Sequence, residues 1–341
     1  MKKVLLFVFG ILASFRLLAQ GHENNMIFGY GGGSLSPDDD GFGLNILSYT
    51  TGSLEVSDNQ ESELFFTDTN AAISDVNGKL LFYFNGIDIY NSAHKLMENG
   101  GLLNEFNATG YDLPQGGIIL PHPGFSNQYI LFHAEEGYVA PWGGASVGLF
   151  YSIVNMAQNN GLGKVIVRKE PIVIDTLEYG ELAVVRHANG RDWWLVVGEA
   201  HQNAIYRILI NPFGVYSFGK QHVGTNRIFS FGQANFSPDG TKYTIFGGVS
   251  AGGLTQYADI YDFDRCSGLF NNHEHFEVKS NSSTGVGSAI SANSRWLYIA
   301  LFDKLLKYDL KADNIESTRE LVAEYEPFND PFPTKFFWMF S

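Results

Sequence analysis

One phrase recurs along this chain and constrains its fold more than any other feature. AAISDVNGKLLFYF (71–84), QANFSPDGTKYTIFG (233–247) and SAISANSRWLYIAL (288–301) share a grammar: a small or apolar run ending in Ile-Ser or Phe-Ser, a turn, then a basic residue opening a strand of large side chains. Asn77-Gly78 and Asp239-Gly240 are strong hairpin signals, because such residues tolerate the positive φ of a tight strand reversal. Pro238 cannot donate to a ladder and belongs to its turn. Each unit continues into a further strand, IDIYN (87–91), ADIYDF (258–263) or LLKYDL (305–310), with a tyrosine before Asn or Asp. PHPGFSNQYILFH (121–133) and RHANGRDWWLVVG (186–198) fit the same pattern more loosely.

The second strands of these five units open at Leu80, Tyr129, Trp193, Tyr243 and Trp296, at intervals of 49, 64, 50 and 53 residues. A period near 50 accommodates a four-stranded antiparallel sheet with its loops, the repeat of a propeller blade. A lone blade cannot bury both faces, whereas blades set around an axis pack on one another. The expected fold is therefore all-β: a β-propeller of four-stranded antiparallel blades, six to seven in number with the last incomplete, forming one domain over residues 21–341. Length agrees, since about 320 residues exceed one ordinary core. Helices are excluded over most of the chain, because the apolar pattern has period two or short runs and the 38 glycines interrupt longer windows. ADNIESTRELVAEY (312–325) is the exception, where a helical turn precedes a strand.

Residues 1–20 have a different character. Lys2 and Lys3 precede the apolar VLLFVFGILASF, and Leu17-Leu18-Ala19-Gln20 ends before the first polar cluster. This is the pattern of an export signal cleaved after Ala19 or Gln20. Arg16 leaves only about a dozen uninterrupted apolar residues, short of the roughly 20 a spanning helix needs. A secreted or cell-surface protein is expected, with no transmembrane segment in the mature chain.

The formal charge is −14, and loss of the three basic side chains of residues 1–20 takes it to −17. Such a chain repels phosphate backbones, so nucleic acid is excluded as a partner. The single cysteine, Cys266, rules out an internal disulfide and reads as a small buried hydrophobe beside a strand turn.

A set of motifs, NGKLLFY, LPQGGIILPHPG, NMAQNNGLGKV, VVRHANGRDWWLVV, QANFSPDGTKY, DIYDFDRCSG and DPFPTKFF, resembles a family of secreted WD-repeat-like propeller proteins of gliding and related Bacteroidetes bacteria. The resemblance runs from about Gly43 to Pro333. It implies cargo of the type IX secretion route, in which the segment matching DPFPTKFF leads into a last blade and a sorting domain. Here the chain stops at Trp338-Met339-Phe340-Ser341, so a truncated reading frame is expected. SDVNGKLLF and SPDGTKYTIF are also similar to the aspartate-box hairpins of sialidase-like propellers, where the box is structural.

No motif carries chemistry by itself. Ser36-Pro37-Asp38-Asp39-Asp40-Gly41 lacks the spacing of a hand-type calcium loop and reads as an acidic turn, and the glycines from Gly29 to Gly33 precede no helix that would receive a phosphate. His122 and His187 read as hydrogen-bonded blade histidines, and His273 and His275 share a strand face with no third ligand in view. Glu135-Glu136 and the pair Asp262 and Asp264 are carboxylates close in sequence whose separation in space depends on folding. Catalytic residues, metal ligands and cofactors are accordingly expected to be none. The binding candidates are Tyr138 and Trp142, read with Pro141 as lying in a loop, EEGYVAPWGGAS, where a ring stacks on a sugar or receives a peptide. The expectation is a monomeric, non-enzymatic scaffold for recognising protein or carbohydrate; the rival is a carbohydrate-active hydrolase or lyase with a central-funnel carboxylate site. The cleavage expectation is checked by N-terminal sequencing of the chain exported from a bacterial host: it should begin at Gln20 or Gly21, and a retained Met1 would refute it.

Overall fold

The computed structural model describes residues 21–28, 44–49, 53–59, 64, 66–104, 110–139, 143–226, 230–249, 255–279, 287–301 and 303–324. Among them are six antiparallel sheets, which follow one another in chain order. The first contains β1 (Asn25–Phe28), β2 (Leu44–Ser48) and β3 (Glu55–Asn59), and the second β4 (Ala71–Ser74), β5 (Leu80–Phe84) and β6 (Ile89–Asn91). The third contains β7 (Gly117–Pro121), β8 (Gln128–Val139), β9 (Gly143–Asn155) and β10 (Lys164–Val173). The fourth holds β11 (Ala183–Arg186), β12 (Trp193–Gly198), β13 (Ala204–Asn211) and β14 (Gly214–His222). The fifth is built from β15 (Ser230–Phe236), β16 (Lys242–Val249), β17 (Thr255–Asp264) and β18 (Leu269–Lys279). The sixth has β19 (Gly287–Ile290), β20 (Trp296–Leu301), β21 (Lys304–Asp309) and β22 (Glu320–Glu324). The arrangement is a β-propeller. All five expected second strands are second strands here: β5, β8, β12, β16 and β20. The expected helical turn is a 3-10 turn at Glu316–Thr318, just before β22. The export signal and the incomplete last blade fall on 1–20 and 325–341, outside the described residues.

Two-sided packing explains why the second strands read as unbroken apolar runs. Neighbouring residues of one strand enter opposite cores, as the period of two requires. On β5, Tyr83 packs with Ile27 and Leu44 of the first sheet, while Phe82 and Phe84 pack with Leu131 and Val154 of the third. On β12, Leu195 and Val197 meet Ile130 and Phe132, while Trp194 and Val196 meet Tyr243 and Ile245. On β16, Phe246 turns the other way, to Ile299 and Leu301 of the sixth sheet. Five cores thus fill the five gaps between successive sheets.

The turns are set by side-chain acceptors as well as glycine. The Asp75 carboxylate accepts from the amides of Asn77 (2.8 Å) and Lys79 (3.0 Å), and the positive φ falls on Gly78 alone, at 86°. Asp239 repeats this with the Thr241 amide, and Gly240 has φ 72°. At the sixth sheet Asn293 and Ser294 fill these places, Ser294 taking φ 56°. The loops are therefore longer than two-residue hairpins, with the Asx side chain closing the turn. The 64-residue interval is accounted for by the third sheet, whose β8 and β9 run 12 and 13 residues.

The short first strands adjoin their neighbours, β1 with β4, β4 with β7, β11 with β15 and β15 with β19. Polar side chains lace them. Asn25 donates to the Ser74 hydroxyl and the Gly78 carbonyl, each at 2.7 Å, and Asn235 donates to Ser288. Gln115, just before β7, donates to the Ala234 carbonyl (3.0 Å) and accepts the Ala234 amide (2.8 Å), reaching past the fourth sheet to the fifth.

Two stability predictions result. Phe82→Ala empties a fully buried site between the second and third sheets and should cost about 3–5 kcal/mol in denaturant unfolding, whereas Val76→Ala in the exposed turn should stay within about 0.5 kcal/mol. His133 is buried between Phe84 and Phe150, with ring centroids 5.7 and 6.0 Å away. Burial, aided by Lys169 and Arg168, lowers its pKa to about 3. The unfolded chain then binds the extra proton between pH 6.5 and 3, so stability contributed by neutral His133 is complete above 6.5 and is lost as pH falls toward 3. His133→Phe should flatten the pH dependence of unfolding in that window; an unchanged curve would count against this origin.

Candidate functional site

The segments leading into β4, β7 and β11 meet at one end of the first strands. Thr69 donates its amide to the Tyr111 carbonyl and its hydroxyl to the Leu113 carbonyl, both at 2.8 Å. The Glu181 amide donates to the Pro114 carbonyl at 3.0 Å. Gly180, at φ 84°, lies so close to Pro114 that an added Cβ would strike its carbonyl. Strand β8 outgrows β7 at this end: His133 pairs with Gly117, the first residue of β7, and the next residues overhang the junction.

Glu136 stands on that overhang. Its Oε1 accepts a hydrogen bond from the Tyr179 hydroxyl at 3.3 Å, and the nearby Asp112 backbone amide also favours its ionised form. The residue is buried, with 8% of its surface accessible, yet its Oε2 makes no hydrogen bond. Ile87, Tyr111, Leu113, Ala134 and Tyr179 form the apolar surround. Asp68 and Asp112 are exposed at the rim. Burial first, and the nearby Asp112 charge second, push the Glu136 carboxyl above the usual carboxylate range, against the hydrogen bonds it accepts. Asp68, although the residue as a whole is exposed, has its carboxyl partly shielded from water, and that shielding, followed by the Asp112 charge, raises it too. Tyr179 is pushed up by burial and then by Glu136 and Asp112, so it stays a hydroxyl donor. Four segments distant in sequence thus converge on a buried acceptor with an acidic rim.

The binding candidates fare differently. Tyr138 lies within β8, paired with Gly144, and not in a loop; it is 71% exposed, so it does not pack between blades. The β8–β9 hairpin is longer than EEGYVAPWGGAS suggests because its alternation continues through the glycines opposite. Pro141 and Trp142 lie outside the described residues, as do Gly29–Gly33 and Ser36–Gly41. Cys266 is exposed, not buried: it sits in the β17–β18 turn, its amide donating to the Asp264 carboxylate at 2.9 Å. Glu135 and Glu136 point to opposite faces, Glu135 pairing with Lys169 at 2.7 Å. Asp262 pairs with Lys242 at 2.6 Å and Asp264 closes its turn, so neither forms a carboxylate site with the other. His122 and His187 are turn acceptors, for the amides of Gly124 (3.1 Å) and Asn189 (3.0 Å).

His273 and His275 do acquire a third partner. Asp259, on the facing strand β17, accepts from His273 Nε2 at 2.5 Å and from His275 Nδ1 at 2.9 Å, both through Oδ1. Among the described residues this is the group of three metal-ligating side chains whose ligand atoms lie within 4.8 Å of one another. Strand pairing across a bulge created it, and no spacing within one segment of sequence announces that. The Glu136 cluster was equally hidden, its members being single residues from four segments.

Among the described residues, no helix is long and apolar enough to cross a membrane. No protein-family model and no curated protein matches the chain. Similar solved structures include a protein from Lactobacillus plantarum (11% identity, 88% of this chain and 82% of that one, TM-score 0.48). A putative 6-phosphogluconolactonase from Bacteroides fragilis has 10% identity over 87% and 92% of the two chains, with TM-score 0.39. An oligogalacturonate lyase solved with manganese has 11% identity over 91% and 76%, with TM-score 0.42.

Proposed function

We propose that this chain is an exported propeller that recognises a ligand, glycan or protein, at the end of the first strands where Asp68, Asp112, Glu136 and Tyr179 meet. The observation that carries the reading is the buried Glu136 Oε2 left without a donor. Leaving a buried acceptor unmade costs about 1–3 kcal/mol, which a ligand donor placed there recovers. The donor has to be small enough to reach a recessed oxygen, and the acidic rim sets its charge: a sugar hydroxyl, a sugar amine or a lysine of a partner suits the site, and phosphates or uronates are repelled. Because the scaffold holds these groups in place through inter-sheet packing, little ordering is required on binding. Export and retention at a cell surface belong to the same reading and rest on residues 1–20 and on the resemblance to secreted propellers.

A second reading is favoured by one specific feature. A carboxyl raised by burial beside another carboxylate is the usual arrangement of a general acid, so Glu136 with Asp112 also suits a carbohydrate-active hydrolase or lyase.

One set of measurements separates them. The purified chain is screened against arrayed neutral, amino and uronic-acid glycans and lysine-bearing peptides, with calorimetry on hits and product analysis on the same ligands. Recognition predicts binding without product, and about tenfold or greater weakening in Glu136→Gln. Turnover predicts product release abolished in that variant. Absence of binding across the array, or binding indifferent to Glu136→Gln, would refute both.

A further inference from the structure

We propose that Asp259, His273 and His275 form a binding site for one divalent transition-metal ion of the zinc class, on the side of the fifth sheet facing the fourth. The donor set is the first reason. Two imidazole nitrogens and one carboxylate oxygen are the ligands that zinc takes at open, three-protein-ligand sites, with metal–ligand distances of about 2.0–2.2 Å. Here the oxygen lies 2.5 and 2.9 Å from the two nitrogens, so all three already point at a common volume. A bound ion would replace the bridging protons and, since tetrahedral ligand atoms stand about 3.3 Å apart, would move the carboxylate back by about 0.4–0.8 Å.

The backbone is arranged to make this convergence. Asp259 pairs directly with His275, but between Ile260 and Asp262 the register slips and β18 carries an extra residue. Asn272 takes φ 47° at that bulge. Bulges re-aim side chains, and this one shifts the register by one residue so that His273 and His275, which alternation keeps on one face together, both lie on the face that holds Asp259.

Both rings are also held from behind. Tyr261 stacks on His273 with centroids 4.7 Å apart and planes at 26°, and Tyr257 stacks on His275 at 5.4 Å and 20°. Gly224, just beyond β14 of the fourth sheet, lies against the His273 ring, where any Cβ would collide with it. Ligand rings fixed by surrounding packing lose little freedom when the ion arrives. Asp259 is buried, while a third of the His275 side chain is exposed, so the site has a closed floor and an open side. That open side leaves a fourth position for water or a ligand group.

The test uses the full mature chain without a histidine tag, treated with chelator and titrated with Zn²⁺ and Co²⁺ separately. The expected result is one equivalent bound, a visible Co²⁺ absorption of four-coordinate type, and a rise in Tm that scales with metal concentration. His275→Gln, a change at the open side that preserves volume, should weaken Zn²⁺ at least tenfold; Asp259→Asn with His273→Gln should abolish stoichiometric binding. Histidine nitrogen NMR of the unaltered chain guards against misfolded variants: Zn²⁺ should shift Nε2 of His273 and Nδ1 of His275. Failure to bind one equivalent, or binding that leaves these two nitrogens unmoved, would overturn the proposal and leave Asp259 as the acceptor of a purely structural ion pair.

Discussion

The second to fifth sheets of this protein are apolar on both faces, and the packing of successive sheets on one another is the interaction on which the rest depends. A strand such as β12 sends Leu195 and Val197 into one core and Trp194 and Val196 into the next. No sheet can be soluble by itself under that constraint, because at least one large apolar face would meet water. The modules therefore stand or fall together. Their first strands are brought so close that side-chain amides, Asn25, Gln115 and Asn235, can bond the backbone of another sheet.

That rigid, polar-laced centre explains how charged groups come to be buried without collapse of the fold. Glu136 is tolerated because the Tyr179 hydroxyl supplies part of its solvation, leaving one oxygen to be satisfied from outside. Asp259 is the opposite case. Burial pushes its carboxyl up, but the hydrogen bonds from His273 and His275 outweigh burial and hold it below its usual range. The same functional group, a carboxyl, is thus a poised acceptor or acid at one end of the propeller and a firmly ionised group between two sheets, and the difference lies in whether its partners are neutral donors or imidazoles.

The differences between expectation and structure have local causes. Cys266 is apolar in character and short, but a turn closed by Asp264 places it outside. Tyr138 sits among glycines that suggest a loop, yet a glycine keeps both backbone hydrogen-bonding groups, Gly143 and Gly144 pair with Val139 and Tyr138, and β8 continues past Tyr138. Asn77 and Asp239 carry the hairpin signature, but in the first turn the acceptor is Asp75 upstream and in the second it is Asp239 itself, and in both the following glycine takes the positive φ.

What the amino-acid order determined by itself is the blade: a turn of Ser, Asx and Gly, the apolar strand after it, and their return at about 50-residue spacing. These are properties of contiguous residues, and local sterics and hydrophobic period are written in contiguous residues. Only the tertiary structure decided the sites. Asp68, Asp112, Glu136 and Tyr179 lie on four segments, and Asp259 meets His273 through a strand register and a bulge. Which residues of different segments face one another is fixed by pairing and packing across the whole molecule, so no single stretch of the chain carries that information.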